Sequence, residues 1–311
     1  QRLCWLGWGC VTDFSETRCG FVAVIGAPNA GKSTLINRLV GAKVSIVTHK
    51  VQTTRFRIMG IAMHGNAQLV FIDTPGIFEP RRRLDRAMVD AAWSGAADGD
   101  RVMLMVDAKR GVDDDTRRIV KGLRRSKRAA ILVLNKIDLV KREALLALAA
   151  ELNETGVIEE IFMVSALKGD GVDDVMAKLA DALPQGPWMF PEDQVSDLPL
   201  RLMAAEVTRE QLFLLTHQEV PYSVTVETEA WEEFKDGSVK IDQTIYVQRD
   251  SQKAIVLGRK GARVKEIGAA ARTELGEMFE RTVHLFIHVK VRDKWMDDRS
   301  RYSAWGLDFN A

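Results

Sequence analysis

The stretch that decides the fold is Gly26-Ala-Pro-Asn-Ala-Gly-Lys-Ser33, which follows the apolar run Phe21–Ile25 and precedes the helix-period segment Ser33–Val40. It matches the pattern G-x-x-x-x-G-K-[ST] in its required strand–loop–helix setting. The glycines let backbone N–H groups converge on phosphate oxygens, and the helix N-terminus adds a positive dipole. We therefore predict a phosphate-binding loop; the alternative is a glycine-rich turn that only caps a helix. The predicted nucleotide-binding residues are Gly26, Asn29, Ala30, Gly31, Lys32, Ser33 and Thr34.

Short apolar runs alternate with helix-period segments beyond this loop. The further runs are Leu69–Ile72, Val102–Val106, Ile131–Leu134 and Ile161–Val164, and the helical segments include Leu84–Ala97, Asp114–Arg124 and Arg142–Leu152. Strands that are buried on both faces and separated by helices indicate a mostly parallel α/β sheet flanked by helices. Ligands of such sheets bind beyond the carboxyl ends of the strands, so the residues after each run are the candidates for chemistry.

Asp73-Thr-Pro-Gly76 follows the run Leu69–Ile72. Lys32 is expected to reach the β- and γ-phosphates, Ser33 to bind Mg²⁺, and Asp73 to hold the same ion through water. The amide of Gly76 suits the γ-phosphate, although the tetrapeptide alone would be an ordinary turn. Ile77 follows and has no hydrogen-bonding group with which to orient a water molecule. We therefore expect slow intrinsic hydrolysis, with Lys32 as a candidate transition-state stabiliser.

Two later segments indicate which base is bound. Asn135-Lys-Ile-Asp138 follows the run Ile131–Leu134, and the Asp138 carboxylate can accept hydrogen bonds from N1–H and the 2-amino group of guanine. Adenine lacks these donors, and an unpaired buried acceptor penalises the wrong base. Ser165-Ala166-Leu167 follows the next run and would place a backbone amide near guanine O6. The ordered set predicts GTP as substrate; an ATPase or nucleotide kinase that shares only the phosphate loop is an alternative, as is a helix-capping role for Asp138.

A cluster of prolines divides the chain. Pro184, Pro187, Pro191 and Pro199 are four of the eight prolines among 311 residues, a length that suits two domains. We predict an N-terminal extension at residues 1–17, a first domain at 18–184, a linker at 185–199 and a second domain at 200–311. Beyond the linker the pattern is α-β-β-α-α-β: helix Leu200–Thr216, strands Tyr222–Glu227 and Val239–Gln248, Ser251–Val256, helix Ala262–Leu275 and strand Thr282–Val291.

The loop Gly258-Arg-Lys-Gly261 joins the two later helical segments. A G-x-x-G loop in this setting is how KH domains clamp about four nucleotides of RNA. The whole chain carries only +1 net charge, which by itself argues against a nucleic-acid binder, but Lys253 to Arg272 has a net charge of +5. The alternative is a solvated helix face with a turn, and Ile255 could equally be core. The predicted RNA-binding residues are Lys253, Ile255, Val256, Leu257, Gly258, Arg259, Lys260, Gly261, Arg263 and Lys265.

The beginning of the chain gives no chemistry. The three cysteines, Cys4, Cys10 and Cys19, have neither the spacing nor the histidines of a zinc site, and the rest of the chain suits a reducing cytosol. The first seventeen residues are expected to be a disordered extension or the result of a misassigned start, with a targeting signal as the alternative. No apolar stretch approaches the length of a membrane-spanning helix.

From about residue 18 to the end, the chain resembles the bacterial Era family: a Ras-like GTPase domain followed by a type II KH domain. The resemblance rests on the phosphate loop, on Val51-Gln-Thr-Thr-Arg55, on Asp73-Thr-Pro-Gly-Ile77, on Ile255 to Ala262 and on Val289 to Trp295. It implies GTP and GDP as ligands with Mg²⁺, and it makes Thr54 the threonine that closes on Mg²⁺ and the γ-phosphate, with Thr53 as the alternative. In related GTPases an asparagine at the place of Asn29 helps to hold a K⁺ ion, which makes Asn29 a further candidate transition-state stabiliser, unless it only shapes the loop. Ile77 stands where small GTPases such as Ras have a water-orienting glutamine.

The resemblance also implies a biological role. It predicts a GTP-hydrolysing switch that binds the 3′ end of 16S ribosomal RNA and assists 30S subunit assembly, as a cytoplasmic monomer with peripheral association at the inner membrane as a further expectation. The competing interpretation is a GTP-dependent signalling switch that acts on protein or membrane partners, with the KH-like domain as a docking surface.

Overall fold

The computed structural model describes residues 17–50, 52–216 and 224–311. The predicted disordered extension lies outside the described residues, except for its last residue. Thr17 belongs to the folded part, because its hydroxyl donates to the carbonyl of Gly186 and its own carbonyl accepts from the amide of Gly186.

A six-stranded sheet in the order β2-β3-β1-β4-β5-β6 forms the first part of the molecule. Only β2 runs antiparallel to its neighbour, so the prediction of a mostly parallel sheet flanked by helices is confirmed. The strands are β1 (Arg18–Gly26), β2 (Ile58–His64), β3 (Ala67–Asp73), β4 (Arg101–Asp107), β5 (Ala130–Asn135) and β6 (Ile158–Val164). The helices are α1 (Lys32–Val40), α2 (Arg83–Asp98), α3 (Asp114–Ser126), α4 (Arg142–Asn153) and α5 (Val172–Ala182).

Both faces of this sheet are covered, which explains the continuous apolar runs. Alternate residues of β1 point to opposite sides: Val22 and Val24 belong to one core cluster, Ala23 and Ile25 to the other. The first cluster packs under α1 and α5, and the second under α2, α3 and α4. Since every parallel strand ends at the same edge, the segments after β1, β3, β5 and β6 meet there.

Strand β2 is not among the sequence predictions. It contains Gly60, which weakens the strand signal. The glycine is required by packing, because a Cβ at this position would lie 2.9 Å from a methyl group of Val40 and 3.1 Å from methyl groups of Ile36 and Val44. The edge strand therefore lies close against α1 and the residues after it.

The second part of the molecule has the predicted α-β-β-α-α-β order. A three-stranded sheet pairs β7 with β8 antiparallel and β8 with β9 parallel. The elements are α6 (Leu200–Leu215), β7 (Val224–Glu233), β8 (Val239–Val247), α7 (Asp250–Leu257), α8 (Ala262–Met278) and β9 (Val283–Val291). A short helix, α9 (Arg299–Ala304), follows and was not predicted.

The proline-rich segment between the two parts lies along the first sheet. The carbonyl of Val195 accepts from the amide of Ile61 at 2.9 Å, and the carboxylate of Asp197 accepts from the amide of Met59 at 3.0 Å. These bonds use backbone donors on the free edge of β2. The segment is therefore a docked connection rather than a free spacer.

The residues after β9 return to the first domain. Trp295 and Tyr302 are fully buried and share a core cluster with Leu84, Ala87 and Met88 of α2. The two domains thus bury a common apolar cluster. Among the described helices, none is long and apolar enough to cross a membrane.

Candidate functional site

The phosphate-binding loop joins β1 to α1 and has the conformation that its glycines permit. The backbone is left-handed at Asn29, with φ of 64°, and at Gly31, with φ of 97°. A Cβ at Gly31 would lie 2.2 Å from Nδ2 of Asn135, so only glycine fits. The loop lines a cavity that is shared with Gly76 and with the α1–β2 segment, which we define as residues 41–57.

Lys32 is the cation of this loop. Its side chain is buried, and Nζ donates to the carbonyls of Gly26 and Ala27 at 3.1 Å each. Burial lowers the pKa of Lys32 to about 8, although the nearby Asp73 carboxylate acts in the opposite direction. A desolvated ammonium without a full counter-charge is well suited to receive a phosphate.

Three oxygen-bearing side chains meet beside Lys32. Oγ of Ser33 lies 2.7 Å from Oδ2 of Asp73 and 3.0 Å from Oγ1 of Thr54, and Thr54 lies 3.4 Å from the same carboxylate oxygen. The predicted alternative, Thr53, is elsewhere: its hydroxyl bonds to the Thr48 hydroxyl and the Lys50 carbonyl. The geometry therefore brings together Ser33, Thr54 and Asp73.

This oxygen cluster has the chemistry of a Mg²⁺ site. Asp73 is fully buried, and its Oδ1 accepts no hydrogen bond from the described residues. Burial raises the pKa of Asp73, while the Ser33 hydroxyl bond lowers it in part. A buried carboxylate with an unused oxygen next to two hydroxyls is a donor set that suits a hard cation.

The residues after Asp73 bring the chain back over the phosphate loop. A Cβ at Gly76 would lie 2.9 Å from Pro28, so this close approach requires glycine. Ile77 donates its amide to the carbonyl of Gly26 at 3.1 Å and is completely buried. It has neither the chemistry nor the exposure to orient a water molecule.

The predicted guanine-binding segments come together at the ends of β5 and β6. Asp138 accepts a hydrogen bond from the Ser165 hydroxyl at 2.8 Å, which holds the pKa of Asp138 below its ordinary value. The side chain of Asn135 accepts from the amide of Ala166 at 3.0 Å and donates to the carbonyl of Ala30 at 2.9 Å. Leu167 is exposed beside them, and Thr34 is half-buried on α1.

Two residues of this site were missed by sequence reasoning. Asp107, at the end of β4, pairs with Lys136 at 2.6 Å, and Lys136 also donates to the carbonyl of Asn29 at 2.8 Å. Arg38 of α1 donates to the carbonyls of Ala166 and Leu167 at 3.3 and 2.6 Å. Asp107 directly follows the predicted run Val102–Val106, which was the available signal; nothing in the local sequence marks Arg38.

A second candidate site surrounds the loop between α7 and α8. Gly258 and Gly261 have φ of 69° and 76°, and Lys260 between them is also left-handed, with φ of 53°. A Cβ at Gly258 would lie 2.7 Å from Cβ of Arg263. Arg259 and Lys260 are exposed at the tip, and Lys265 is exposed on α8. The loop thus presents cations and backbone to solvent.

One predicted RNA contact is corrected by the structure. Val256 is completely buried in the core of the second domain, which leaves it no surface for a base. Ile255 and Leu257 are half-buried, and Lys253 and Arg263 are partly exposed. The structure therefore leaves the other predicted residues of this surface accessible.

The chain matches two families in sequence. Residues 21–136 match the family described as 50S ribosome-binding GTPase, and residues 219–296 match the KH domain. It is 62% identical over 293 residues to GTPase Era of Rhizobium meliloti strain 1021, an alignment that covers 94% of each protein. The chain belongs to the Era family of GTPases. GTPase Era of Agrobacterium fabrum strain C58 is 60% identical, with 94% of this chain and 92% of the relative aligned.

Solved Era structures show the same architecture. A complex of Era with MgGDPNP and nucleotides 1506–1542 of 16S ribosomal RNA superimposes with a TM-score of 0.89 at 38% identity, over 94% of this chain and 99% of the other. A single-residue variant of Aquifex aeolicus Era bound to GDP and AlF4⁻ gives 0.88 at 38% identity, over 93% and 99%. This Era-family chain is therefore a GTPase domain followed by a KH domain, and it hydrolyses GTP.

Proposed function

We propose that this Era-family protein uses GTP hydrolysis to control binding of the 3′ end of 16S ribosomal RNA during assembly and maturation of the 30S subunit. The observation that carries the proposal is the exposed Gly258–Gly261 loop between α7 and α8, placed on the same chain as a GTPase site. A relative of the same two-domain architecture binds nucleotides 1506–1542 of that RNA.

In the nucleotide site, each role follows from position and chemistry. Lys32 neutralises the β- and γ-phosphates, and Ser33 and Thr54 bind Mg²⁺, with Asp73 holding the ion through water. Gly76 gives its amide to the γ-phosphate. Asp138 binds the guanine edge, supported by Ser165, and the residues around Ala166 line the base. The Mg²⁺ ion would supply charge neutralisation of the phosphates.

Asn29 is the proposed K⁺ ligand. Its amide group donates to the carbonyl of His49 in the α1–β2 segment at 3.1 Å, so it lies between the phosphate loop and that segment. A cation there would offset charge that develops in the transition state, a task that buried Ile77 cannot assist. Hydrolysis should be faster in K⁺ than in Na⁺ at equal ionic strength, and Asn29→Ala should abolish the difference. Equal rates in the two salts would contradict this role.

The RNA site is the loop and its basic surroundings. Exposed Arg259, Lys260 and Lys265 neutralise phosphates, while half-buried Ile255 and Leu257 offer apolar surface to bases. If most of the cations between Lys253 and Arg272 contact phosphates, the logarithm of the binding constant should fall against the logarithm of salt concentration with a slope of about −3 to −4. A flat salt response would argue against this site.

RNA binding by loop variants tests the proposal. With an RNA of the 16S 3′-terminal sequence, Lys260→Ala and Gly261→Asp should each weaken binding about tenfold, since they remove a cation or add an anion where phosphates bind. Lys235→Ala is the matched control, because Lys235 is exposed in the β7–β8 turn of the same domain. Unchanged affinity of both loop variants would instead favour the signalling switch with protein or membrane partners. Crosslinking and sequencing of bound RNA tests the link to 30S precursors.

A further inference from the structure

Helix α6 of the KH domain carries three charged side chains that are almost completely buried. Glu206 is 7% exposed, Arg209 1% and Glu210 4%. Buried charges are costly unless they are paired and hydrogen-bonded. Their partners are one another and the α1–β2 segment of the GTPase domain, so this face of α6 is built for contact with that segment.

Arg209 makes the central contact. Its Nη2 donates to the carbonyl of Thr53 at 2.6 Å. The guanidinium is held for this task by Glu206, which accepts from Nε at 2.8 Å and from Nη2, and by Phe213, whose ring lies 5.1 Å below. A planar, doubly held guanidinium is a rigid donor, because little of its rotamer freedom remains to be lost.

The same helix holds the beginning of the α1–β2 segment. Glu210 accepts the amide of Val47 at 2.7 Å and pairs with Lys43, which also pairs with Glu274 of α8. Lys43, Val47 and Thr53 are therefore held by the KH domain. Val47 and Thr53 also line the cavity of the phosphate loop, so these contacts fix one wall of that cavity.

The Thr53 carbonyl belongs to the peptide unit that includes the nitrogen of Thr54. Because that unit is planar, a bond that fixes the carbonyl also restricts where the Thr54 side chain can lie. The Thr54 hydroxyl is 3.0 Å from Oγ of Ser33. We propose that Arg209 is a positioning residue for GTP hydrolysis, which acts from the KH domain through the Thr53–Thr54 peptide to hold the Thr54 hydroxyl where it closes on Mg²⁺.

This inference rests on the proposed role of Thr54, and it has a distinctive consequence. Thr54 contacts Mg²⁺ when the γ-phosphate is present, so loss of Arg209 should weaken the GTP-bound arrangement and leave GDP binding unchanged. A role for Arg209 in general stability would affect both nucleotides alike. Hydrolysis would also depend on the docking of α6 against the GTPase domain.

Arg209→Met in the full chain is the first test. Glu206 then keeps Arg55 as a nearby positive charge, since these two side chains interact electrostatically in the structure. Loss of a bond from a charged donor predicts about a tenfold fall in kcat/KM for GTP and about a tenfold rise in the Mg²⁺ concentration for half-maximal hydrolysis. GDP affinity should change less than about twofold. Arg209→Lys keeps a cationic donor, so its kcat/KM and Mg²⁺ dependence should lie between those of the wild type and Arg209→Met. It also provides a second test if the methionine variant is unstable.

Arg201→Met is the matched control. Arg201 is exposed on the same helix and donates to the carbonyls of Thr228 and Glu229 within the KH domain. The Arg201→Met variant should leave kcat/KM for GTP and the Mg²⁺ concentration for half-maximal hydrolysis unchanged. Normal hydrolysis and Mg²⁺ dependence in Arg209→Met would overturn the inference.

Combination with Thr54→Ala separates the inference from the proposed function. If Arg209 acts through Thr54, adding Arg209→Met to Thr54→Ala should cause no further loss of kcat/KM. A full additional tenfold loss would show that Arg209 acts elsewhere and overturn the inference. If Thr54→Ala alone has no effect on hydrolysis or Mg²⁺ dependence, the proposed role of Thr54 fails, and the inference falls with it.

Discussion

At the scale of single residues, the side chain of Asn135 ties the nucleotide site together. It donates to the phosphate loop at Ala30 and accepts from the amides of Lys136 and Ala166. Segments that lie more than 130 residues apart in sequence are thereby held by one buried amide. Loss of the Asn135 side chain would displace the predicted phosphate-binding and base-binding segments together. A residue of this kind can therefore affect nucleotide binding without contacting the base.

That the predicted motif residues meet at one edge of the sheet could be foreseen from the sequence, because their segments follow strands of a mostly parallel sheet. Their supports could not. Arg38 binds Ala166 and Leu167 across more than 120 residues, and Arg209 binds Thr53 from another domain. An arginine on a helix surface has the same local sequence whether it binds solvent or a distant carbonyl. Only the packing of elements decides between these roles.

Asp138→Asn gives the residue-scale prediction. The carboxylate is replaced by an amide that donates where guanine also donates, so GTP affinity should fall by at least about a hundredfold and xanthine nucleotide affinity should rise. Equilibrium binding of GDP and XDP measures both. Asp114→Asn is the control, because the Asp114 side chain is 96% exposed at the start of α3, away from the described nucleotide-site contacts. Retained GDP affinity in Asp138→Asn would remove Asp138 from the base site.

At the scale of elements, apolar runs and helical periodicity predicted the order of both domains. The two elements without such signals were missed. Strand β2 contains Gly60, and α9 has only six residues, of which Arg301 and Tyr302 are buried. Short or glycine-containing elements are specified by what they pack against: β2 by α1, and α9 by the return of the chain to α2. Local propensity is too weak to reveal either.

Helix α3 offers a prediction at this scale. Asp113 caps it by accepting from the amide and hydroxyl of Thr116 at 2.8 and 2.7 Å. Partial burial favours the neutral acid, but these bonds and the charge of Arg110 outweigh it and hold the pKa of Asp113 below 3.8. Asp113→Ala should therefore lower the free energy of unfolding by about 1 kcal/mol at pH 7, seen as a lower urea midpoint.

The sign of the pH dependence follows from the lowered pKa. The stabilisation is present above the unfolded-state pKa and is lost as the pH falls through the folded-state pKa. The difference in free energy of unfolding between wild type and Asp113→Ala should therefore become smaller below pH 3.8. Asp114→Ala is the control, because that neighbouring carboxylate is exposed and should shift the midpoint little. An equal difference in free energy of unfolding at pH 7 and at pH 3 would show that the charge of Asp113 is irrelevant to the cap.

At the scale of the whole molecule, the KH domain contacts one short stretch of the GTPase domain at two places. Arg209 of α6 binds the carbonyl of Thr53, and Arg55, two residues on, lies with its guanidinium 5.5 Å from the ring of Trp295. The proline cluster predicted that there are two domains, but not that they pack together. In the sequence, Trp295 is an ordinary apolar residue that follows a strand. The neighbouring residues do not indicate that its packing partners are on α2.

Trp295 therefore gives a prediction about the cooperativity of the molecule. It is completely buried between the KH domain and Leu84, Ala87 and Met88 of α2, so Trp295→Ala should cost about 3–5 kcal/mol. In calorimetry, we expect the wild type to unfold in one transition that Mg–GDP shifts upward as a whole, because binding stabilises every part that is coupled to the site. In Trp295→Ala the transition should divide, and the KH-domain part should no longer respond to nucleotide.

Leu275→Ala separates loss of coupling from loss of stability. Leu275 is buried within the KH domain among Ala204, Val207 and Ile241, away from α2, and its truncation should cost about 2–5 kcal/mol. That variant should unfold at lower temperature but still in one nucleotide-responsive transition, because the cluster around Trp295 is intact. If Trp295→Ala also unfolds in a single transition that responds to nucleotide, the α6 contacts alone couple the domains. The coupling would then depend on Arg209, Glu210 and Lys43.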